Sequence, residues 1–212
     1  ELPEWLRNSA PSQAYRFISP NYSLVSVISP VQPKISSAFI AYFIVNPDSI
    51  FGSITAEYTV EKRGVFFTEI KIPNGFSVTD VAGANIKDWF FRDDQKVVKI
   101  NFDKAAINTS KITIEIEKKL TADENSLQFE APYAMQNNSK YEALMVFGSD
   151  EDVKIAPDGD SVAHELSIYK LPEKIQRRYQ GINYAFIFSE AGGQLKFAKE
   201  RLIPQIEAQV YN

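Results

Sequence analysis

The chain has 212 residues, 44% hydrophobic and 24% charged, with a net charge of −4 and a pI near 5.2. That profile belongs to a globular protein long enough to bury a core without a metal or disulfide staple. It has no cysteine, which excludes thiol catalysis and thiolate metal sites, and its scattered Lys and Arg make nucleic acid a poor partner.

Residues 1–12 read as a lead-in with two prolines, Pro3 and Pro11. Residues 14–29 read as two strands around a turn at Ser19-Pro20-Asn21. The apolar run from Ile35 to Val45 is too β-branched and aromatic for a helix and reads as a buried strand. Ile54, Ala56, Tyr58 and Val60 alternate, Lys62-Arg63-Gly64 offers a turn, and Phe66, Thr68, Ile70 and Ile72 alternate again, which predicts a hairpin. Pro73-Asn74-Gly75 is a further turn. Phe76, Val78 and Val81 open the next strand, and Gly83 punctuates it. Ile86, Trp89 and Phe91, the tip Asp93-Asp94-Gln95, and Val97, Val98, Ile100 and Phe102 predict a second hairpin. Ile112, Ile114 and Ile116 alternate with Thr113, Glu115 and Glu117, giving one dry and one solvated face.

Residues 121–140 read as a long loop around a short strand at 127–129. Strands are expected at 143–147, 153–155 and 162–169, separated by turns at 149–152 and 157–160. Residues 172–180 are the helix candidate: Pro172 and Glu173 begin it, Lys174, Arg177 and Arg178 suit its C-terminal end, and Leu171, Ile175 and Tyr179 share a face. Then come 184–188, a hairpin turn at Gly192-Gly193, 195–197, and a closing strand at 206–211. About a dozen short strands and one helix predict an all-β fold, mainly an antiparallel β-sandwich, as one unit or as two packed sandwich subdomains over 1–120 and 121–212. The short helix lies near 172–180.

Few residues offer chemistry. His164 is the sole histidine, and a strand position makes an ordinary hydrogen-bonded role its expected one. Asp150-Glu151-Asp152 and Asp158-Gly159-Asp160 lack the spacing of a calcium loop and suit tight turns. Asp93 and Asp94 sit at a hairpin tip, and Glu115 and Glu117 share a face with Lys119; neither pair spans a cleft as a glycosidase requires. Gly192-Gly193 lacks the context of a phosphate loop. Lys170, Lys174, Arg177 and Arg178 read as a solvated basic face. Trp5, Trp89, Phe91 and Tyr141, with Phe90, are the candidate ligand platform, on which exposed rings would stack against sugars. No cofactor and no metal site are expected.

The two ends resemble each other. Leu171-Pro172-Glu173, Phe186-Ile187-Phe188, Leu195 and Pro204-Gln205-Ile206 match Leu2-Pro3-Glu4, Tyr15-Arg16-Phe17, Leu24 and Pro33-Lys34-Ile35. Residues 171–212 thus resemble 2–43 as the start of a further repeat of roughly 170 residues. The chain opens on Glu1 rather than Met, and it is expected to be a piece of a longer protein.

These repeated pieces, and Ile72-Pro73-Asn74-Gly75-Phe76 with Val78, Val81, Gly83, Ile86 and Trp89, resemble the β-rich extracytoplasmic repeat regions of large, mostly uncharacterised bacterial envelope proteins. The resemblance implies a periplasmic or cell-surface location and a role as scaffold or interaction surface, and it carries no catalytic residues. The expected function is that of a non-catalytic structural or interaction module, working by burial between neighbouring modules or by strand addition at an open sheet edge. The expected partners are neighbouring domains of the same chain, other envelope proteins or glycan, with membrane contact only through regions outside this chain. A carbohydrate-binding module and a glycan-active hydrolase with an Asp/Glu pair are the alternatives.

Overall fold

A computed structural model describes residues 31–202 except 122, 137, 160–162 and 180, together with 21 and 23. The strands expected at 14–29 and 206–211, Trp5, and residues 2–30 and 203–212 of the two repeat copies lie outside the described residues, 21 and 23 apart. The described chain is all-β, with two stacked sheets and one short helix.

The chain enters at β1 (Lys34–Val45), turns at Asn46-Pro47-Asp48, and returns as β2 (Ser49–Lys71) in an unbroken antiparallel ladder from Lys34↔Glu61 to Val45↔Ile50. A 23-residue strand replaces the hairpin expected at Lys62-Arg63-Gly64. Turn chemistry there serves a bulge instead: Val60 pairs with Asn108 and Val65 with Ala106, so four residues oppose one. Lys62 (φ 70°) and Asn108 (φ 65°) take the left-handed conformation that such a bend needs. Gly64 is required by closeness, since a Cβ there would lie 2.9 Å from Ala105 Cβ.

After the Asn74-Gly75 turn, β3 (Ser77–Gly83) and β4 (Ile86–Arg92) line one edge of β5 (Val97–Lys119). β5 is also continuous over 23 residues, joining the segments that the sequence pattern separates at 97–102 and 112–116. Its two halves follow the two halves of β2 around the bend. The expected β4–β5 hairpin and its Asp93-Asp94 tip are present.

β6 (Ser126–Glu130) leaves for a second sheet, β7 (Tyr133–Ala134) touches β2, and β8 (Asn138–Ser149) lies parallel to β1. β9 (Val153–Pro157), β10 (His164–Glu165), a 3-10 turn at Ile168–Lys170, α1 (Glu173–Arg178), β11 (Ile182–Phe188) and β12 (Gln194–Arg201) follow. The strand expected over 162–169 is cut to β10. Leu166 still donates its N–H to Ala185 O at 2.8 Å, after which the chain curls to deliver Leu171 and α1 to the sheet. Gly192-Gly193 makes a turn but no hairpin, because β11 pairs with β8 while β12 pairs with β6 and β9. The chain crosses there between sheets, so close to Phe188 that a Cβ on Gly193 would fall 2.3 Å from its ring.

The large sheet has nine strands in the order β10-β11-β8-β1-β2-β5-β3, with β4 on β5 and β7 on β2; the small sheet is β6-β12-β9. Strands from both sides of residue 120 share the large sheet and one core, so the sheet does not divide there.

Between the sheets lies a seam of phenylalanines. Phe43 and Phe147 from the large sheet meet Phe129 and Phe197 from the small one, with centroids 4.9 Å apart for Phe43–Phe129 and 4.6 Å for Phe147–Phe197. Each such pair adds about 0.5–1.5 kcal/mol beyond its area. On the opposite face, Leu171, Ile175 and Tyr179 of the α1 region pack against Val146 and Ala185, and the Tyr179 ring stacks on Tyr42 at 4.2 Å. β1 and β8 are therefore covered on both faces, which explains the near-continuous apolar run of β1.

A polar clamp joins the ends of the sheets. Lys199, the third inward position of β12, is buried and donates Nζ to Pro47 O at 2.9 Å. Beside it Lys118 Nζ donates to Glu124 Oε1 at 2.6 Å. Burial works against ionising Glu124, but the Lys118 ammonium prevails and holds its carboxyl below the ordinary value.

Phe197→Ala is expected to lower stability by about 3–5 kcal/mol in urea unfolding, whereas exposed Phe90→Ala should stay within about 0.5 kcal/mol. Since Glu124 ionises more readily folded than unfolded, its contribution is full above the unfolded carboxyl pKa and is lost as pH falls through the folded one. Glu124→Gln should therefore flatten the drop in urea midpoint between neutral and acid pH; an unchanged slope would remove the clamp from the acid response.

Candidate interaction groove

β2 runs in the interior of the large sheet, but only up to its bend. β1 ends its pairing at Lys34↔Glu61, where Pro33 lacks the N–H to continue the ladder. β7 takes up the same edge only at Ile70↔Ala134. Between these points Gln32, Pro33 and Ile35 from the approach to β1, residues 63–67 of β2, and Gln136 after β7 enclose a mainly apolar cleft of about 580 Å³.

Two rings form its wall. Phe66 is 65% exposed and Phe67 43% exposed, against complete burial of Ile70 and Ile72 a few residues later. Phe66 has the inward phase of Thr68 and Ile70, but the register with β5 shifts between Val65 and Phe67, and Phe66 falls in that irregularity without a partner on β5. The Lys99 ammonium lies over the Phe67 ring at 4.8 Å, a cation–π contact. Lys62 and Arg63 stand exposed on the rim without an ion pair among the described residues. The neighbouring acids are already engaged, Glu61 with Lys34 at 3.3 Å and Glu69 with Arg92 at 2.7 Å. The rim is therefore basic.

Gln136 closes the far end. Its Oε1 accepts from Tyr58 Oη at 3.4 Å, Thr68 Oγ1 at 3.2 Å and the Glu69 N–H at 3.3 Å. Its Nε2 is buried with no acceptor among the described residues.

The structure distributes the sequence candidates elsewhere. Trp89 and Phe91 are half-buried and pack against the core. Tyr141 packs there too, 6.0 Å from Phe39, and donates its hydroxyl to Pro132 O at 2.9 Å. These three do not form an exposed row; Phe90, on the other face of β4, is 58% exposed. Trp5 lies outside the described residues. His164 is exposed on β10, at the lip of a cleft of about 350 Å³ with Ser189 and Glu190. Glu115 accepts from Ser53 Oγ at 2.8 Å on the sheet face. Arg177 pairs with Glu173, and the Arg178 guanidinium lies 5.3 Å from the Tyr179 ring. No group of three or more His, Asp or Glu able to hold a metal occurs among the described residues.

Phe66, Phe67 and Gln136 were not candidates in the sequence. One signal is present: adjacent residues of a strand face opposite sides, so the pair Phe66-Phe67 puts a ring on each face of β2, and one of them is solvent-facing unless both faces are covered.

Gln136→Leu should cost about 1–3 kcal/mol, because it strands buried donors on Tyr58, Thr68 and Glu69. A urea midpoint equal to that of the parent would show that these bonds contribute nothing net.

No family model matches the sequence, and no curated protein matches it significantly. Among solved structures, the fold is similar to an M1 zinc metallopeptidase from Deinococcus radiodurans, at 6% identity and a TM-score of 0.42, over 78% of this chain and 42% of that one. A two-domain M1 zinc metallopeptidase bound to L-arginine is similar at 8% identity and a TM-score of 0.44, with the same coverage. The match thus spans well under half of either solved chain, and a likeness this loose says nothing of activity.

Proposed function

We propose that this chain is a non-catalytic β-sandwich module of a larger exported protein, and that it holds a polypeptide partner in the groove at the bend of β2. The observation that carries this reading is the pair of exposed rings, Phe66 and Phe67, on the wall of an apolar cleft. Clustered apolar surface with a polar rim is what a partner surface looks like. The resemblance of the Ile72–Trp89 stretch and of the terminal repeat to extracytoplasmic β-rich regions supports the exported location. The partner is then a neighbouring domain of the parent chain or another envelope protein.

Site-specific photocrosslinking in the intact parent protein tests this. Benzoylphenylalanine replacing Phe66 should give a polypeptide adduct that disappears with Phe67→Asp, while the same group replacing Tyr169, 87% exposed on the 3-10 turn, should give none. Absence of the adduct at 66, or equal adducts at both positions, would overturn the reading.

A further inference from the structure

The groove is also a gap in the β-ladder. From Lys62 to Thr68, β2 meets β5 on one edge through Val65, Phe67 and Thr68, and meets no strand on the other among the described residues. The direction of its backbone groups follows from its neighbour. Glu69 donates its N–H to Gln136 Oε1 and accepts the Met135 N–H at 2.8 Å on that open side. Strand geometry repeats every second residue, so Phe67 turns its own N–H and C=O to the same side. At Glu69 a glutamine side chain does what a pairing strand would do, and its buried NH2 has no acceptor among the described residues, the role a main-chain carbonyl would fill.

We propose that the occupant of this groove is an extended polypeptide segment that adds to the edge of β2 left unpaired among the described residues between β1 and β7. The proposal rests on the groove being a partner site and specifies what enters it. Main-chain bonds to Phe67 give affinity, alternate apolar side chains of the segment fill the cleft beside Phe66 and Ile35, and an acidic side chain meets Arg63. The acidic preference follows from the rim, where Lys62 and Arg63 have no ion pair among the described residues and the nearby carboxylates are already matched. At about 3.3 Å per residue, a segment of roughly four to six residues bridges the gap.

The probe is a phage-displayed library of random nonapeptides, selected on the whole chain and counter-selected on a Phe66→Ser/Phe67→Ser variant. Both rings are exposed, so this variant is expected to keep the parent melting temperature. The expected result is enrichment of peptides with alternating apolar residues and at least one Asp or Glu. Their binding should slow hydrogen exchange at the Phe67 amide, weaken about tenfold with Arg63→Glu, and vanish when alternate peptide amides are N-methylated. Peptides that bind the groove yet tolerate N-methylation and leave the Phe67 amide unprotected would overturn strand addition while leaving the partner site standing. An unchanged affinity in Arg63→Glu would overturn the acidic preference. Failure to enrich any peptide over the double variant would overturn both readings.

Discussion

The structure depends on one constraint: strands of 23 residues are too long for one flat layer. At about 3.3 Å per residue, β2 and β5 would extend roughly 75 Å, several times the reach of a single core. They bend together through two register shifts that offset each other: residues 61–64 of β2 oppose Ile107 alone, and residues 102–105 of β5 oppose Phe66 alone. The first halves carry Ile54, Tyr58, Ile112 and Ile114 into the core, and the second halves carry Ile70, Val98 and Ile100. Every strand of the large sheet takes its position from this folded ribbon. β1 follows the first half, β4 and β7 the second, and the interval between β1 and β7 is what a bend leaves when no described strand follows the chain around the corner.

The small sheet answers a different need. β6, β12 and β9 bury only their inner positions, and Leu127, Phe129, Leu195 and Phe197 supply them. Those inner positions are apolar and need a surface to be buried against. Packing against Phe43 and Phe147 supplies the missing partner surface, and Lys199 closes the end of the sandwich through a carbonyl of the β1–β2 turn. A lysine at a core phase is tolerated because its ammonium finds an acceptor in Pro47 O.

Much of this was legible in the sequence, because period-two alternation survives whatever the strands later pair with. β1, β3, β4, β6, β9 and α1 lie where their patterns place them. Pattern and structure part at the punctuation. Lys62-Arg63-Gly64 and Gly192-Gly193 have the chemistry of tight turns, and the same backbone freedom serves a bulge in one case and a crossing between sheets in the other. Local residues cannot tell these apart, since the difference lies in which distant strand arrives alongside. The groove was hidden for the same reason: Phe66 reads as inward by phase and becomes outward only through a register shift against β5.

The parallel pairing of β1 with β8 has a consequence for how the chain comes into being. Ile35 is laid against Asn138, and Lys199 reaches back 152 residues to Pro47. A ribosome that has finished β1 and β2 must still add more than half of the described chain before the other edge of β1 is covered and the phenylalanine seam is complete. Until then an apolar strand stands with unpaired amides, open to the wrong neighbour, and the closing contacts are among the most distant in sequence. Such topology folds slowly and passes through species prone to association. The polypeptide is thus most vulnerable before it is finished, and its yield in a cell depends on how β1 is shielded during that interval.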